Sequence, residues 1–210
     1  DIINIEYWEN SIYKPTPTII EAATALYKKH NVAEISRSDS GAENLSVTSE
    51  CISYIIDFSK ENKRKSICFI TGVPAAGKTL AGLNIANLRS NYNEEEHAVF
   101  LSGNGPLVDV LREALTRDKV KTAKEANFVI TKSLASSQVK SFIQNIHHFR
   151  DASLKDEKAP VEKVTIFDEA QRAWTKEKAT DFMKRNKGLS DFDKSEPEFL
   201  IEVMDRHKDW

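Results

Sequence analysis

The stretch ICFITGVPAAGKTLAGLNIA, residues 67–86, constrains this chain more than any other part of it. An apolar run, Ile67 to Thr71, reads as a buried strand, and Leu80 to Arg89 reads as a helix that is apolar nearly all round. Between them lies Gly-x-x-x-x-Gly-Lys-Thr, Gly72 to Thr79. Glycines 72 and 77 let the backbone bend tightly, so that successive amides and the helix N-terminus point at phosphate oxygens. The expected nucleotide-binding stretch is therefore Gly72, Val73, Pro74, Ala75, Ala76, Gly77, Lys78, Thr79 and Leu80. In it Lys78 brings a point charge to the terminal phosphates, and the Thr79 hydroxyl can join a Mg²⁺ that bridges them. Ala75 adds a Cβ that stiffens the cradle.

A phosphate cradle that hydrolyses its nucleotide needs carboxylates on a neighbouring strand, to hold the metal and to orient water. VTIFDEAQ, residues 164–171, supplies them: an apolar strand delivers Asp168 to the metal shell and Glu169 to the water. Gln171 is placed to sense the γ-phosphate.

The rest of the chain reads as alternating elements. Thr18 and Glu21 match a capping box for a first helix that runs to about His30. The polar stretch 36–44 reads as turn, and a second helix carries Cys51 to Phe58 up to the basic run at Lys60. After the cradle come a polar turn at 91–96, a strand at 97–102 and a helix opened by Pro106. Residues 118–134 are ambiguous. Ala135 to Phe149 reads as one long helical face, Lys163 to Phe167 as a strand, and DEAQRAW as a charged helical stretch. Ser195 and Glu198 cap a last helix. Strands alternating with helices predict a parallel sheet with right-handed crossovers. The expected fold class is thus α/β, a RecA-like P-loop NTPase sheet flanked by helices over 63–210, with a helical N-terminal extension over 1–62.

These residues also carry a resemblance. Asp-Glu-Ala-Gln after a strand, with the phosphate loop upstream, resembles the first RecA-like domain of superfamily 1 helicases. YKPTPTIIEAA, ICFITGVPAAGKT, FLSGNGPLVDVLREAL, FDEAQRAW and EPEFLIEVMDRHKDW together resemble the Schlafen group 3 type DNA/RNA helicase domain. The resemblance implies ATP and Mg²⁺ as cofactors and single-stranded DNA or RNA as partner. It also implies a second RecA-like domain in the full-length protein, so that residues 63–210 are expected to be C-terminally incomplete. It puts Ser102, Gly103, Asn104 and Gly105 where such helicases touch nucleic acid, and a Ser/Gly/Asn loop opening a helix does offer amides to a phosphate backbone. The adenine-reading glutamine that such helicases carry upstream of the loop has no counterpart, since no glutamine precedes Gln138.

Composition narrows the alternatives. Hydrophobic residues at 40% and charged residues at 30% suit a globular protein, and no apolar run approaches the roughly 20 residues of a membrane span. A net charge of −2 argues against a uniformly basic nucleic-acid surface, although basic runs occur at 60–65, 117–124 and 176–187. Cys51 and Cys68 sit in apolar patterns and are expected to be buried thiols, which fits a reducing cytoplasm. Adjacent His147 and His148 point to different helix faces and make a poor metal site. Trp174 and Trp210 are candidate base-stacking residues, more simply read as core or interface. Two rival readings share the cradle: a nucleotide-gated interaction module that moves no strand, and an AAA-like or signalling ATPase.

Overall fold

The computed structural model describes residues 17–28, 39–74, 76–92 and 97–209. Expectations for Ala75, Trp210, the end of the first helix near His30, the turn residues 36–38 and 93–96, and the whole segment before Pro17 lie outside these residues.

The order of elements is α1 (Ile19–Tyr27), α2 (Asp39–Glu61), α3 (Lys78–Tyr92), β1 (Ala98–Ser102), α4 (Gly105–Glu125), α5 (Lys132–Phe142), β2 (Ile143–Asn145), α6 (Ile146–Lys155), β3 (Val164–Asp168), a 3₁₀ turn (Ala170–Arg172), α7 (Lys176–Lys187) and α8 (Glu196–Asp205). The three strands form one parallel sheet in the order β2-β1-β3. The α/β class read from the sequence is the class observed, with helices on both faces of a parallel sheet.

β1 is the centre of the sheet, and each of its residues is buried. Its side chains alternate between the faces as a pleated strand requires. Phe100 points into a core with Leu83 and Ala86 of α3, Leu111 of α4 and Leu26 of α1. Val99 and Leu101 point the other way, onto Ile146 and Phe149 of α6 and Phe199 and Val203 of α8. The N-terminal helix α1 therefore shares the main core. It starts at a complete capping box: Thr18 Oγ1 accepts from the Glu21 amide, and the Glu21 carboxylate accepts from the Thr18 amide at 2.7 Å.

α3 is the interior helix that its apolar pattern predicts, with residues 81–87 all buried. Its polar side chains are matched by the N-terminal helices. Asn84 donates to the Ser49 hydroxyl of α2, Asn87 donates to the Leu26 carbonyl of α1, and Arg89 holds Asp57 of α2. Each bond satisfies a buried polar group that would otherwise be costly to desolvate. Gly82 brings α3 against the sheet. A Cβ there would lie 2.9 Å from Ile166 Cγ2 and 3.2 Å from Phe100 Cε2, so only hydrogen fits.

Several local expectations need correction. Ile67–Thr71 is not a strand in the sheet: it carries no ladder, and Phe69 is 87% exposed. An isolated apolar run cannot be a strand without a partner edge, and among the described residues none is paired with it. Cys51 and Cys68 are exposed free thiols instead of buried ones. α2 begins at Asp39, inside the stretch read as turn. The long helix expected from Ala135 to Phe149 is broken into α5, β2 and α6. Ile143 sits opposite Phe100 and is fully buried, and a short strand with apolar neighbours at 142, 143 and 146 mimics a helical face. The charged stretch after Asp168 forms a single 3₁₀ turn before α7 starts at a Thr175 cap. Among the described residues, no helix is long and apolar enough to cross a membrane.

Overpacking typically costs about 1–3 kcal/mol. Gly82→Ala is expected to destabilise the fold by about that amount, read as a lower urea midpoint at unchanged slope. Gly103→Ala, whose Cβ would meet its nearest neighbour at 3.9 Å, is the matched control and should change the midpoint far less.

Candidate nucleotide and metal site

The site forms where α3 begins and β3 ends. Gly77 has φ +87°, a left-handed conformation that favours glycine, and it leads directly into α3 at Lys78. At Gly72 a Cβ would press on the Ala76 Cβ at 3.3 Å, so the loop closes tightly on itself. Residues 71–74 and 76 are exposed, leaving the cradle open to an incoming ligand. The Lys78 ammonium folds back over the loop and donates to the carbonyls of Gly72 at 2.8 Å and Val73 at 2.9 Å. Those are the bonds a terminal phosphate would exchange for its own oxygens. The charge is already over the cradle.

The two residues expected to share a metal meet in space although 89 positions separate them. The Thr79 hydroxyl donates to Asp168 Oδ1 at 3.0 Å, and Asp168 Oδ2 is buried without a hydrogen-bond partner. Burial raises the Asp168 carboxyl above its ordinary 3.8, and the Glu169 charge adds to the rise; the Thr79 bond, the Glu169 backbone and the Lys78 charge pull it down without cancelling it. An orphaned, buried carboxylate oxygen beside a hydroxyl is a donor set that fits a hard oxygen-loving cation such as Mg²⁺. The wider metal reading has less to stand on: among the described residues, no group of three or more His, Cys, Asp or Glu side chains could hold an ion on its own. Thr79 and Asp168 would have to share the ion with phosphate oxygens, as Mg²⁺ commonly does.

Glu169 follows immediately, at φ 56° and ψ 37°. This is strained backbone for a residue with a long side chain, and such strain persists only where the surroundings over-determine it. The turn turns the chain sharply at the end of β3. The Glu169 carboxylate accepts from Gln171 Nε2 and pairs with Arg172 Nε at 3.3 Å. Lys78, Thr79, Asp168, Glu169 and Gln171, five residues singled out in the sequence, thus occupy the cradle and the adjoining end of β3.

The nucleic-acid candidates lie one strand over. Ser102 is fully buried, and its hydroxyl accepts from the Asn104 amide at 3.2 Å, so it shapes the loop from within. Asn104 caps α4 by accepting from the Leu107 amide. Gly103 is exposed, while Asn104 and Gly105 are half-buried. The register puts Ser102 opposite both Asn145 and Asp168, so this loop opens at the same end of the sheet as the acidic pair.

One group of residues beside the site was not anticipated. Glu196, at the start of α8, is buried and takes hydrogen bonds from Arg150 and His147 of α6 and from the Trp174 amide. Burial would push its carboxyl up, but the bonds from His147 and Trp174 and the charges of His147 and Arg150 outweigh burial and hold it below its ordinary 4.5. In the sequence it looks like a routine acidic residue in a capped first turn, and no local pattern marks it. His147 and His148 diverge as adjacent helical residues must, one onto Glu196 and one to solvent. Trp174 packs against the His147 ring at 4.5 Å and the Phe182 ring at 4.9 Å, an interior role.

Sheet, cradle and acidic strand together define an α/β domain of phosphate-loop type. The chain belongs to a particular family of this type: the family model for the Schlafen group 3 DNA/RNA helicase domain matches residues 65–209. Nucleotide use is a property the family implies. No curated protein and no solved structure matches the chain.

The raised Asp168 carboxyl has a stability consequence. A carboxyl whose pKa is higher in the folded than in the unfolded state favours folding below its unfolded value, and that support is lost as pH rises through the folded one. Without nucleotide, Asp168→Asn is therefore expected to melt higher than wild type at pH 7, by about 2–4 °C if about 1 kcal/mol is recovered. The gain should disappear as pH falls below about 3.8. Thermal melts across pH check both points.

Proposed function

We propose that this chain is an ATP-binding, Mg²⁺-dependent NTPase domain of a DNA/RNA helicase or translocase, hydrolysing ATP to ADP and phosphate. The observation that carries the reading is the Thr79–Asp168 contact at 3.0 Å, which joins the phosphate loop to the acidic strand and leaves a buried oxygen of Asp168 unpaired. Membership of a helicase-domain family supports it.

The residues divide the work by position. Residues 72–80 bind the phosphates, with backbone amides and the N-terminus of α3 supplying positive potential. Lys78 leaves its two loop carbonyls and pairs with the β- and γ-phosphates. Thr79 and Asp168 would hold Mg²⁺, which would supply positive charge to offset that of the phosphates. Glu169 accepts a hydrogen bond from the attacking water and takes its proton. Gln171, already bonded to Glu169, reports the γ-phosphate to the rest of the molecule.

Gly103, Asn104 and Gly105 contact the backbone of single-stranded DNA or RNA, supported by their place at the same sheet end as the acidic pair; Ser102, expected among them, is fully buried and shapes the loop from within. A second RecA-like domain closes over the exposed cradle as the other wall of the cleft. In this reading residues 63–210 are the RecA-like unit and residues 1–62 its helical extension. The exposed free thiols of Cys51 and Cys68 suit a reducing cytoplasm.

A fluorescent ATP analogue should bind wild type in a Mg²⁺-dependent manner and lose at least tenfold in affinity on Lys78→Ala. Glu169→Gln should bind as wild type but lose turnover by at least about a hundredfold, the lower end of the range for a removed general base. Single-stranded DNA or RNA should accelerate wild-type turnover. Full turnover in Glu169→Gln removes the assignment of Glu169, and turnover indifferent to either nucleic acid favours a nucleotide gate over a motor.

A further inference from the structure

The segment that carries Glu169 and Gln171 leaves β3 after Asp168 and makes no further ladder. Its own bonds are short-range: the Arg172 amide donates to the Glu169 carbonyl and the Ala173 amide to the Ala170 carbonyl. At Trp174 it is gripped again. The Trp174 amide donates to Glu196 Oε2 at 2.8 Å, and the Glu196 amide donates to the Trp174 carbonyl at 3.1 Å. One residue thus holds both backbone groups of Trp174.

Glu196 is itself immobilised. Its Oε1 accepts from Arg150 Nη1 at 2.9 Å and faces His147 Nδ1 at 2.8 Å. The Glu196 and Arg150 side chains are 2% and 3% exposed. The other edge of the Arg150 guanidinium is taken by Asp151, which also pairs with Lys187 of α7. The guanidinium lies 5.1 Å from the centre of the Trp174 ring and 5.4 Å from that of Phe182. A buried ion pair of this kind is rarely more stabilising than apolar side chains of equal volume. What it supplies here is directional: fixed bonds that admit one placement of Trp174.

We propose that Glu196 is a positioning residue for the acidic motif, acting through Trp174 to hold Glu169 and Gln171 in the geometry that hydrolysis requires. The proposal rests on the hydrolytic reading above. Glu169 adopts strained left-handed backbone, and only restraint on both sides keeps it there. Upstream the restraint is the β1–β3 ladder, which ends at Asp168. Downstream it is the pair of bonds between Trp174 and Glu196. Removing the Glu196 carboxylate takes away the bond to the Trp174 amide and leaves only the backbone bond to its carbonyl, which loosens the downstream end and moves the Glu169 carboxylate while the cradle, on α3, stays in place.

The test uses Glu196→Ala and Glu196→Gln in the full-length protein, with turnover, nucleotide affinity and amide exchange measured together. Displacing a catalytic group by a fraction of an ångström is worth on the order of tenfold in rate. Glu196→Ala is expected to lower kcat by about that factor, with affinity for Mg-ATP within about twofold of wild type. Amides 170–174 should exchange faster while those of β1 and α3 stay protected. Glu196→Gln, which keeps an oxygen for the Trp174 amide, should recover most of the lost kcat and carries the test if the alanine variant does not fold, by retaining affinity and showing a smaller loss of kcat. Wild-type kcat with fast exchange at 170–174 overturns the proposal, as does a parallel loss of kcat, affinity and β1 protection, which would mark a merely structural role. Unchanged kcat and exchange in Glu196→Gln with an unfolded alanine variant overturns it too. Glu169→Gln run alongside separates the two readings: if it retains full turnover, or wild type shows no Lys78-dependent turnover, the hydrolytic reading falls and this one with it. If Glu169→Gln is inactive and the Glu196 variants are not impaired, only the positioning role is lost.

Discussion

The pairing of β1 on both edges is the constraint from which the rest of the structure follows. In parallel pairing the register fixes which residues leave the sheet at the same level, and here Ser102, Asn145 and Asp168 do so together. Every residue of β1 is buried, so the ladder is protected from competing water. The helices then have little freedom. α3 must cross one face with its N-terminus at the end where β3 delivers Asp168, and that juxtaposition brings Thr79 within hydrogen-bond distance of the carboxylate.

How much of this could be read in advance depended on how local each signal is. The phosphate loop, the acidic pair and both capping boxes are written in contiguous residues, and their chemistry is tied to spacing. The capping boxes at Thr18 and Ser195 are present as read. β2 was hidden because three residues are too few to show a period of two, and Phe142, Ile143 and Ile146 satisfy a helical spacing equally well. The segment 67–71 was misleading for the opposite reason. Its apolar run states a preference for burial, but a ladder needs a second edge, and that is a property of the whole assembly of strands. Glu196 was illegible because its partners lie on α6 and before α7, 46 positions away in the case of Arg150.

The site joins two kinds of polar burial. At Asp168 a carboxylate oxygen is left unsatisfied and its proton affinity rises, which is unfavourable to folding on its own and suited to a cation. At Glu196 every strong interaction is satisfied, and the carboxyl is held in its charged form. The first is poised to react to an arrival. The second is finished, and serves as a fixed point against which the first can be placed. Membership of a helicase-domain family gives this division a context, since a motor needs some parts that respond to nucleotide and others that do not.

Gly82 gives the arrangement a mechanical character. With no side chain between them, the backbone of α3 rests almost directly on Ile166 and Phe100. Packed interiors compress little, and on the helix side there is no rotamer whose rearrangement could absorb a push. The helix that begins the cradle and the strand that ends at the acid therefore form a stiff coupling. A force applied to the phosphate loop reaches β3 as displacement of the whole element, with little lost as slack along the way.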